Sequence, residues 1–173
     1  SSQVPKFQSS QVPKFPRSQA PKFPSSQETG NTIQFDLSNL MTEIKQKYNN
    51  NKITFKCNEK ILMLGRKHLI KRCLYNLIDN SIKYAGNADI VVKRNNSTIE
   101  ISIEDDGPGV PENERERVMR PFYRIDKSRQ MADGSVGLGL SIVQDIVNSH
   151  GGNIKLTDNP KGKGLKVILN FPA

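Results

Sequence analysis

The sequence predicts a two-layer α/β sandwich, in which a mixed, mostly antiparallel sheet carries three helices on one face. Three observations lead there. Apolar residues recur at three- and four-residue spacing near residues 37–48, 67–85 and 138–149, the signature of amphipathic helices. Alternating stretches fall between and after them, at 53–57, 90–93, 99–103, 154–157 and 165–171. In the central stretch Ile99, Ile101 and Ile103 alternate with Glu100, Ser102 and Glu104, as expected of an antiparallel strand with one face buried and one in water.

The chain has 173 residues, enough for one domain with a proper core plus a tail. It has no run of about 18 apolar residues that could span a membrane, and its N-terminus lacks the apolar stretch of a signal peptide. It begins at Ser1 rather than Met, which suggests a fragment or a processed product. Cys57 and Cys73 sit in apolar patterns without metal-ligand spacing, so both read as reduced core residues, in keeping with the cytoplasm. The net charge of +9 is spread along the chain. A basic surface suits a polyanionic small ligand such as a nucleotide as well as it suits nucleic acid.

Residues 1–27 repeat a unit of about eight residues, SSQVPKFQ, SSQVPKFP, RSQAPKFP and SSQ, with four cations and no acid. Proline-bearing units with so little apolar surface do not offset the entropy of ordering. Residues 1–32 are therefore expected to be a disordered tail and linker, and 33–173 the folded domain. The repeat could be a docking peptide or an insertion without a role in the chemistry.

Asp36 is placed to cap a first helix with apolar positions Leu37, Leu40, Met41, Ile44 and Tyr48, ended by Asn49–Asn51. Ile53, Phe55 and Cys57 alternate as a strand. A short stretch through Ile61, Leu62 and Leu64 reaches Gly65. The long second helix starts near Arg66 and stops at Gly86. Asn76, Asn80 and Lys83 line one edge of its apolar stripe, with Tyr84 beside them. Any exposed helix face carries polar residues, but this edge also suits a ligand lying against the domain.

A hairpin follows, turning at Asn95-Asn96, and its second strand runs into Asp105-Asp106-Gly107-Pro108-Gly109. A carboxylate at a strand end can accept from an exocyclic amine, and the glycines let a ring approach the backbone. An ordinary acidic turn has the same composition. Residues 111–136 lack a clear period and include Pro121-Phe122-Tyr123-Arg124, as a functional lid or a disordered loop does. Gly137-Leu138-Gly139-Leu140 then opens the third helix, where free N–H groups and the helix dipole favour phosphate. His150-Gly151-Gly152 closes that helix, at an end that suits a cation. Two last strands are joined by residues 160–164.

Taken in this order, the asparagine helix, the Asp-x-Gly-x-Gly loop, the Pro-Phe-Tyr-Arg segment and the glycine-rich helix start resemble the catalytic ATP-binding domain of bacterial sensor histidine kinases. That domain has the Bergerat fold, shared with gyrase, Hsp90 and MutL, and the resemblance covers roughly Phe35 to Pro172. It implies binding of ATP and Mg²⁺. Asn80 matches the metal-ligating asparagine, and Asn76 the one beside the same ion and the phosphates. Lys83 matches a phosphate-contacting lysine and Tyr84 an aromatic against the adenine. Asp105 matches the aspartate that accepts from the adenine amine, with Gly107 and Gly109 beside the base. Phe122 and Arg124 match the lid, and Gly137, Leu138, Gly139 and Leu140 the phosphate-side glycine motif. Arg124 and Lys83 are thus the candidate catalytic cations. The family usually has glycine where this chain has Ser135, which bears on the lid hinge.

The resemblance also implies partners: a dimerisation domain bearing the acceptor histidine and, indirectly, a response regulator. It implies a cytoplasmic domain within a membrane-anchored parent kinase. Neither His68 nor His150 is followed by the acceptor pattern, so the phosphoryl group is expected to go to a histidine elsewhere. A truncated, non-catalytic nucleotide-binding remnant is the alternative. An autonomous ATPase is disfavoured, because the gyrase and MutL branch has a water-activating glutamate where this chain has Asn76. A serine kinase of the anti-sigma type shares the fold and typically lacks the Pro-Phe-Tyr-Arg signature.

Overall fold

A computed structural model describes residues 30–48, 51–125 and 139–173. The repeats, Asn49-Asn50, Ser135, Gly137 and Leu138 lie outside the described residues. Strand β1 (Ile33–Asp36) runs directly into helix α1 (Leu37–Gln46). Asp36 caps that helix, its Oδ1 accepting from the N–H groups of Ser38 and Asn39 at 2.9 and 3.2 Å. Leu37, Leu40, Met41 and Ile44 are buried, as the spacing requires. The helix ends at Gln46, short of Tyr48, whose hydroxyl instead donates to Asp79 on the second helix at 2.6 Å. Burial and that bond push the Tyr48 phenol above its ordinary range.

Strand β2 (Ile53–Cys57) is followed by β3 (Leu62–Gly65), which pairs antiparallel with β1 in a separate two-stranded sheet. Neither β1 nor β3 was anticipated as a strand: four residues each are too few to display alternation, and pairs such as Phe35–Met63 define both strands only in three dimensions. Helix α2 (Lys67–Ala85) buries Ile70, Cys73, Leu74, Leu77 and Ile78 and ends on Gly86 in the left-handed conformation, φ 82°.

Strands β4 (Ala88–Asn95) and β5 (Thr98–Glu104) form the hairpin. Helix α3 (Gly139–Ser149), β6 (Asn153–Asp158) and β7 (Leu165–Pro172) complete the fold. The main sheet has the order β2-β4-β5-β7-β6, with β2 parallel to β4 and the other neighbours antiparallel. The sheet is therefore mixed and mostly antiparallel, and the three helices pack against it, as predicted. Ile90, Ile101, Ile103, Val167, Leu169 and Phe171 meet the buried helix stripes in one core.

Three expectations need correction. Ser102 and Glu104 are buried rather than wet, because β5 is the central strand and has neighbours on both sides. Ser102 lies between Val91 and Ile168, and Glu104 meets Lys161 at 3.0 Å and Lys166 at 2.9 Å. His150 does more than close a helix end: its ring is bonded at both nitrogens. Its Nε2 accepts from the Arg66 N–H at 3.1 Å, and its Nδ1 lies 2.7 Å from the Ile146 carbonyl, to which it donates. Both nitrogens are engaged, and the ring joins the end of α3 to the start of α2. Finally, Cys73 is fully buried, which pushes its thiol up to about 12, whereas Cys57 on edge strand β2 is only half-buried. Both cysteines are free.

Candidate functional site

The last three turns of α2 carry the predicted polar edge. Asn76 and Asn80 are half-buried, and Lys83 and Tyr84 are exposed. The Lys83 ammonium lies 5.3 Å from the Tyr84 ring centroid. Nδ2 of Asn76 is buried and has no hydrogen-bond partner among the described residues. Helix α3 begins beside this edge: a β-carbon on Gly139 would sit 3.5 Å from Nδ2 of Asn80 and 3.8 Å from its Oδ1. The missing side chain leaves the Asn80 amide open toward the start of α3. Leu140 is half-buried in the first turn.

The Asp-x-Gly-x-Gly loop lies on the end of the same helix. A β-carbon on Gly107 would stand 3.1 Å from the Ala85 side chain and 3.4 Å from the Tyr84 carbonyl oxygen. Asp105 is 7% exposed. Its Oδ1 accepts from the N–H of Gly107 at 3.0 Å and of Leu165 at 3.2 Å. Its Oδ2 takes no hydrogen bond from the described residues. The carboxylate is thus oriented by one oxygen and available at the other. Asp106 has a different fate: its carboxylate accepts from Nδ2 of Asn87 at 2.9 Å, and its N–H donates to Oδ1 of Asn87 at 3.3 Å.

Behind Asp105 stands a turn that sequence reasoning treated only as a connection. Asn159 donates from Nδ2 to the Asp105 carbonyl at 2.9 Å. Gly109 and Gly164 also meet there, with a β-carbon on Gly109 only 3.0 Å from the Gly164 carbonyl oxygen. The Asn159-Pro160 dipeptide was the available signal, since it favours turn initiation. It says nothing of what the turn would touch.

Phe122 and Arg124 stand on the segment leading to residues 126–138. Phe122 is 59% exposed and has a left-handed backbone, φ 65°, unusual for an aromatic residue. Beside it the Tyr123 hydroxyl bonds the Glu114 carboxylate, which also receives Arg117 at 3.2 Å. Glu114 raises the Tyr123 phenol above its ordinary value. Arg115 ties this segment to the main sheet, donating to Asp158 at 2.6 Å and to the Val110 carbonyl at 3.2 Å. The structure therefore brings together Asn80 with Gly139, and Gly107 with Asp105 and the backbone of Tyr84 at the end of α2. A pocket of about 440 Å³ between Arg115, Met119, Gln144 and Ile154 is lined by none of these residues.

No group of three or more His, Cys, Asp or Glu able to hold a metal occurs among the described residues. Any ion here would rely on neutral amide oxygens together with ligand and water oxygens, which suits Mg²⁺ rather than a transition metal. No helix among the described residues is long and apolar enough to cross a membrane.

Comparison with known proteins bears on the family and the fold. A family model described as histidine kinase-, DNA gyrase B-, and HSP90-like ATPase matches residues 65–173. The sensor histidine kinase CpxA of Escherichia coli (strain K12) is 34% identical over 111 residues, 64% of this chain and 24% of that protein. The sensor-like histidine kinase SenX3 of Mycolicibacterium smegmatis is 37% identical over 113 residues, 64% of this chain and 29% of that protein. The chain thus spans between a fifth and a third of the length of the curated relatives it matches. Among solved structures, the nucleotide-free catalytic domain of histidine kinase ThkA has a TM-score of 0.72 at 25% identity, covering 82% of this chain and 95% of that one. The histidine kinase domain of the E. coli osmosensor EnvZ has a TM-score of 0.62 at 28% identity, covering 84% and 92%. The chain belongs to the histidine kinase-, DNA gyrase B- and HSP90-like ATPase family.

Proposed function

We propose that residues 33–173 form a kinase domain, with residues 1–32 as a tail outside it. The domain binds ATP with Mg²⁺ and donates the γ-phosphoryl group to a histidine on a separate dimerisation domain, in two-component signalling on the cytoplasmic side of a parent kinase. One observation carries this reading: Asn80 faces Gly139 while the last turn of the same helix lies under Gly107. A ligand along that edge meets a carboxylate and an aromatic ring at one end. At the other it meets amides and a helix N-terminus. A nucleoside suits the first end and phosphates the second.

In this reading Oδ2 of Asp105 accepts from the adenine amine, Gly107 and Gly109 admit the ring, and Tyr84 lies against it. Lys83 and Gly137–Leu140 hold the phosphates. Phe122 and Arg124 belong to the lid, and Arg124 and Lys83 offset the charge that develops on the transferred group. Asn80 and Asn76 would hold the Mg²⁺, which supplies neutralisation of phosphate charge when bound. The unpartnered atom of Asn76 is its Nδ2, a donor, which suits a phosphate or water oxygen beside the ion and leaves Oδ1 as the side chain's only atom able to face the metal.

Neither asparagine can act as a general base, so this wall holds ATP without activating a water. Transfer then needs an incoming imidazole nitrogen, which bonds to the γ-phosphorus as the bond to the ADP oxygen breaks. His150 does not supply it, since both its nitrogens are engaged within the fold. The test is a calorimetric ATP·Mg²⁺ titration of the purified chain, followed by incubation with γ-labelled ATP, with and without an acceptor domain from a sensor kinase. Binding is expected throughout, with label only on the added domain. Absence of ATP binding, or label on the lone chain, overturns the reading.

A further inference from the structure

We propose that Asn159 is a positioning residue for base selection: its side-chain amide clamps Asp105 so that the carboxylate offers Oδ2 to the exocyclic amine of adenine. The inference rests on the ATP reading above and names the residue that gives that site its preference among purines.

Asn159 is 4% exposed, a polar side chain buried in a surface turn. Its four hydrogen-bonding groups are all engaged. Nδ2 donates to the Asp105 carbonyl at 2.9 Å, and Oδ1 accepts from the Lys161 N–H at 2.9 Å. Its N–H donates to the Gly164 carbonyl, and its own carbonyl accepts from Gly162, both at 3.1 Å. Leu165, the first residue after the turn, accepts from the Asp105 N–H at 3.0 Å and donates to Asp105 Oδ1. The turn therefore holds Asp105 at its N–H, at its carbonyl and at one carboxylate oxygen.

The turn is anchored in its own right. Lys161 reaches Glu104, the neighbour of Asp105, at 3.0 Å, and Asp89 at 3.3 Å. Lys166 takes the other oxygen of Glu104 at 2.9 Å. These lysines and Asn159 together press the turn against the end of β5.

The chemistry follows from what the carboxylate faces. Adenine presents an amine that donates to it. Guanine presents a carbonyl oxygen at the same place, and two acceptors repel. Such discrimination is large only if the protein group cannot turn away or admit water. Asp105 gains that rigidity from a residue that never touches the ligand.

A role confined to the turn itself would use only the Oδ1 bond to Lys161. Asn159→Asp separates the two roles, because it keeps an acceptor for Lys161 and removes the donor to Asp105. Wild type and variant are titrated by calorimetry with ATP, GTP and inorganic triphosphate, each with Mg²⁺, and their folding is checked by thermal melting. The expected result is a loss of about tenfold in ATP affinity, the scale of one lost oriented hydrogen bond. The ATP-over-GTP ratio should shrink by a similar factor, while triphosphate binding stays within about twofold. Should Asn159→Asp not fold, Asn159→Ser is read the same way, its hydroxyl being long enough for the Lys161 N–H and too short for the Asp105 carbonyl. An unchanged ATP-over-GTP ratio in a folded variant overturns the inference, as does an equal loss for ATP and triphosphate. Failure of the wild-type chain to bind ATP instead overturns the nucleotide reading, and this is seen before any variant is made.

Discussion

A β-carbon on Gly164 would fall 1.7 Å from the carbonyl oxygen of Asp105. Gly164 also has φ 127°, a region that residues with a β-carbon avoid. Nothing flexible separates the two residues, since the atom met is backbone. Gly164→Ala should therefore cost about 3 kcal/mol or more in urea denaturation, as strain and clash add. Gly162 supplies the control: its φ is 136°, but nothing lies within 4 Å of the added carbon. Gly162→Ala should cost about 1–2 kcal/mol, strain alone. Equal losses in the two variants would refute the close-approach account.

Asn80→Ala and Asp105→Ala should each weaken ATP·Mg²⁺ binding by at least about tenfold, or roughly 1.4 kcal/mol. Asp105→Asn is the gentler probe, because its remaining oxygen can still accept from Gly107 and Leu165. It should melt like wild type and yet bind ATP as weakly as Asp105→Ala. Wild-type affinity in Asn80→Ala and Asp105→Ala would remove both residues from the site.

Acid should loosen the sheet through Glu104. Burial pushes its carboxyl up, but Lys166 and Lys161 outweigh that and hold it below its ordinary value of 4.5. The folded protein thus binds this proton less readily than the unfolded chain. The stabilisation is complete above about pH 4.5 and is lost as pH falls through the lowered native value. Urea midpoints at pH 6 and pH 3 should differ less for Glu104→Gln than for wild type. An identical pH dependence would show that the pair contributes nothing. Lys161 has the opposite sign, its pKa raised chiefly by Glu104, so its share persists up to its ordinary 10.5 and fades as pH rises through the raised value.

The α2–α3 junction can be tested at His150. Its ring stands edge-on to Phe171, with centroids 6.3 Å apart, while Nε2 takes the Arg66 N–H. His150→Phe keeps an aromatic ring and leaves that N–H without a partner. The expected cost is about 1–3 kcal/mol in chemical denaturation. A variant as stable as wild type would mean that water satisfies the Arg66 N–H equally well.

Most of the fold was legible from periodicity. Helix α2 announces itself by nineteen residues with one apolar stripe and a glycine stop, and β7 by four alternating apolar positions. Strands β1 and β3 did not, since each exists only by pairing with the other. The burial of Ser102 and Glu104 was equally hidden. Alternation reports which residues share a face, and strand order decides whether the second face is covered.

The candidate site divides along the same line. By itself the sequence determined which residue types stand on which local element: two asparagines one turn apart, an aspartate at a strand end, and glycines at a helix start. Those facts depend on the helical and strand repeats, which are properties of neighbouring residues. Only the tertiary structure decided that Gly139 opens toward Asn80, that Gly107 rests on Tyr84 and Ala85, and that Asp105 is held from behind by Asn159. Asp105 and Asn159 are 54 positions apart, and only the β5–β7 pairing brings Asp105 beside Leu165 and the turn that Asn159 opens. Pairing across a sheet is set by the burial of the whole core, which no local pattern contains.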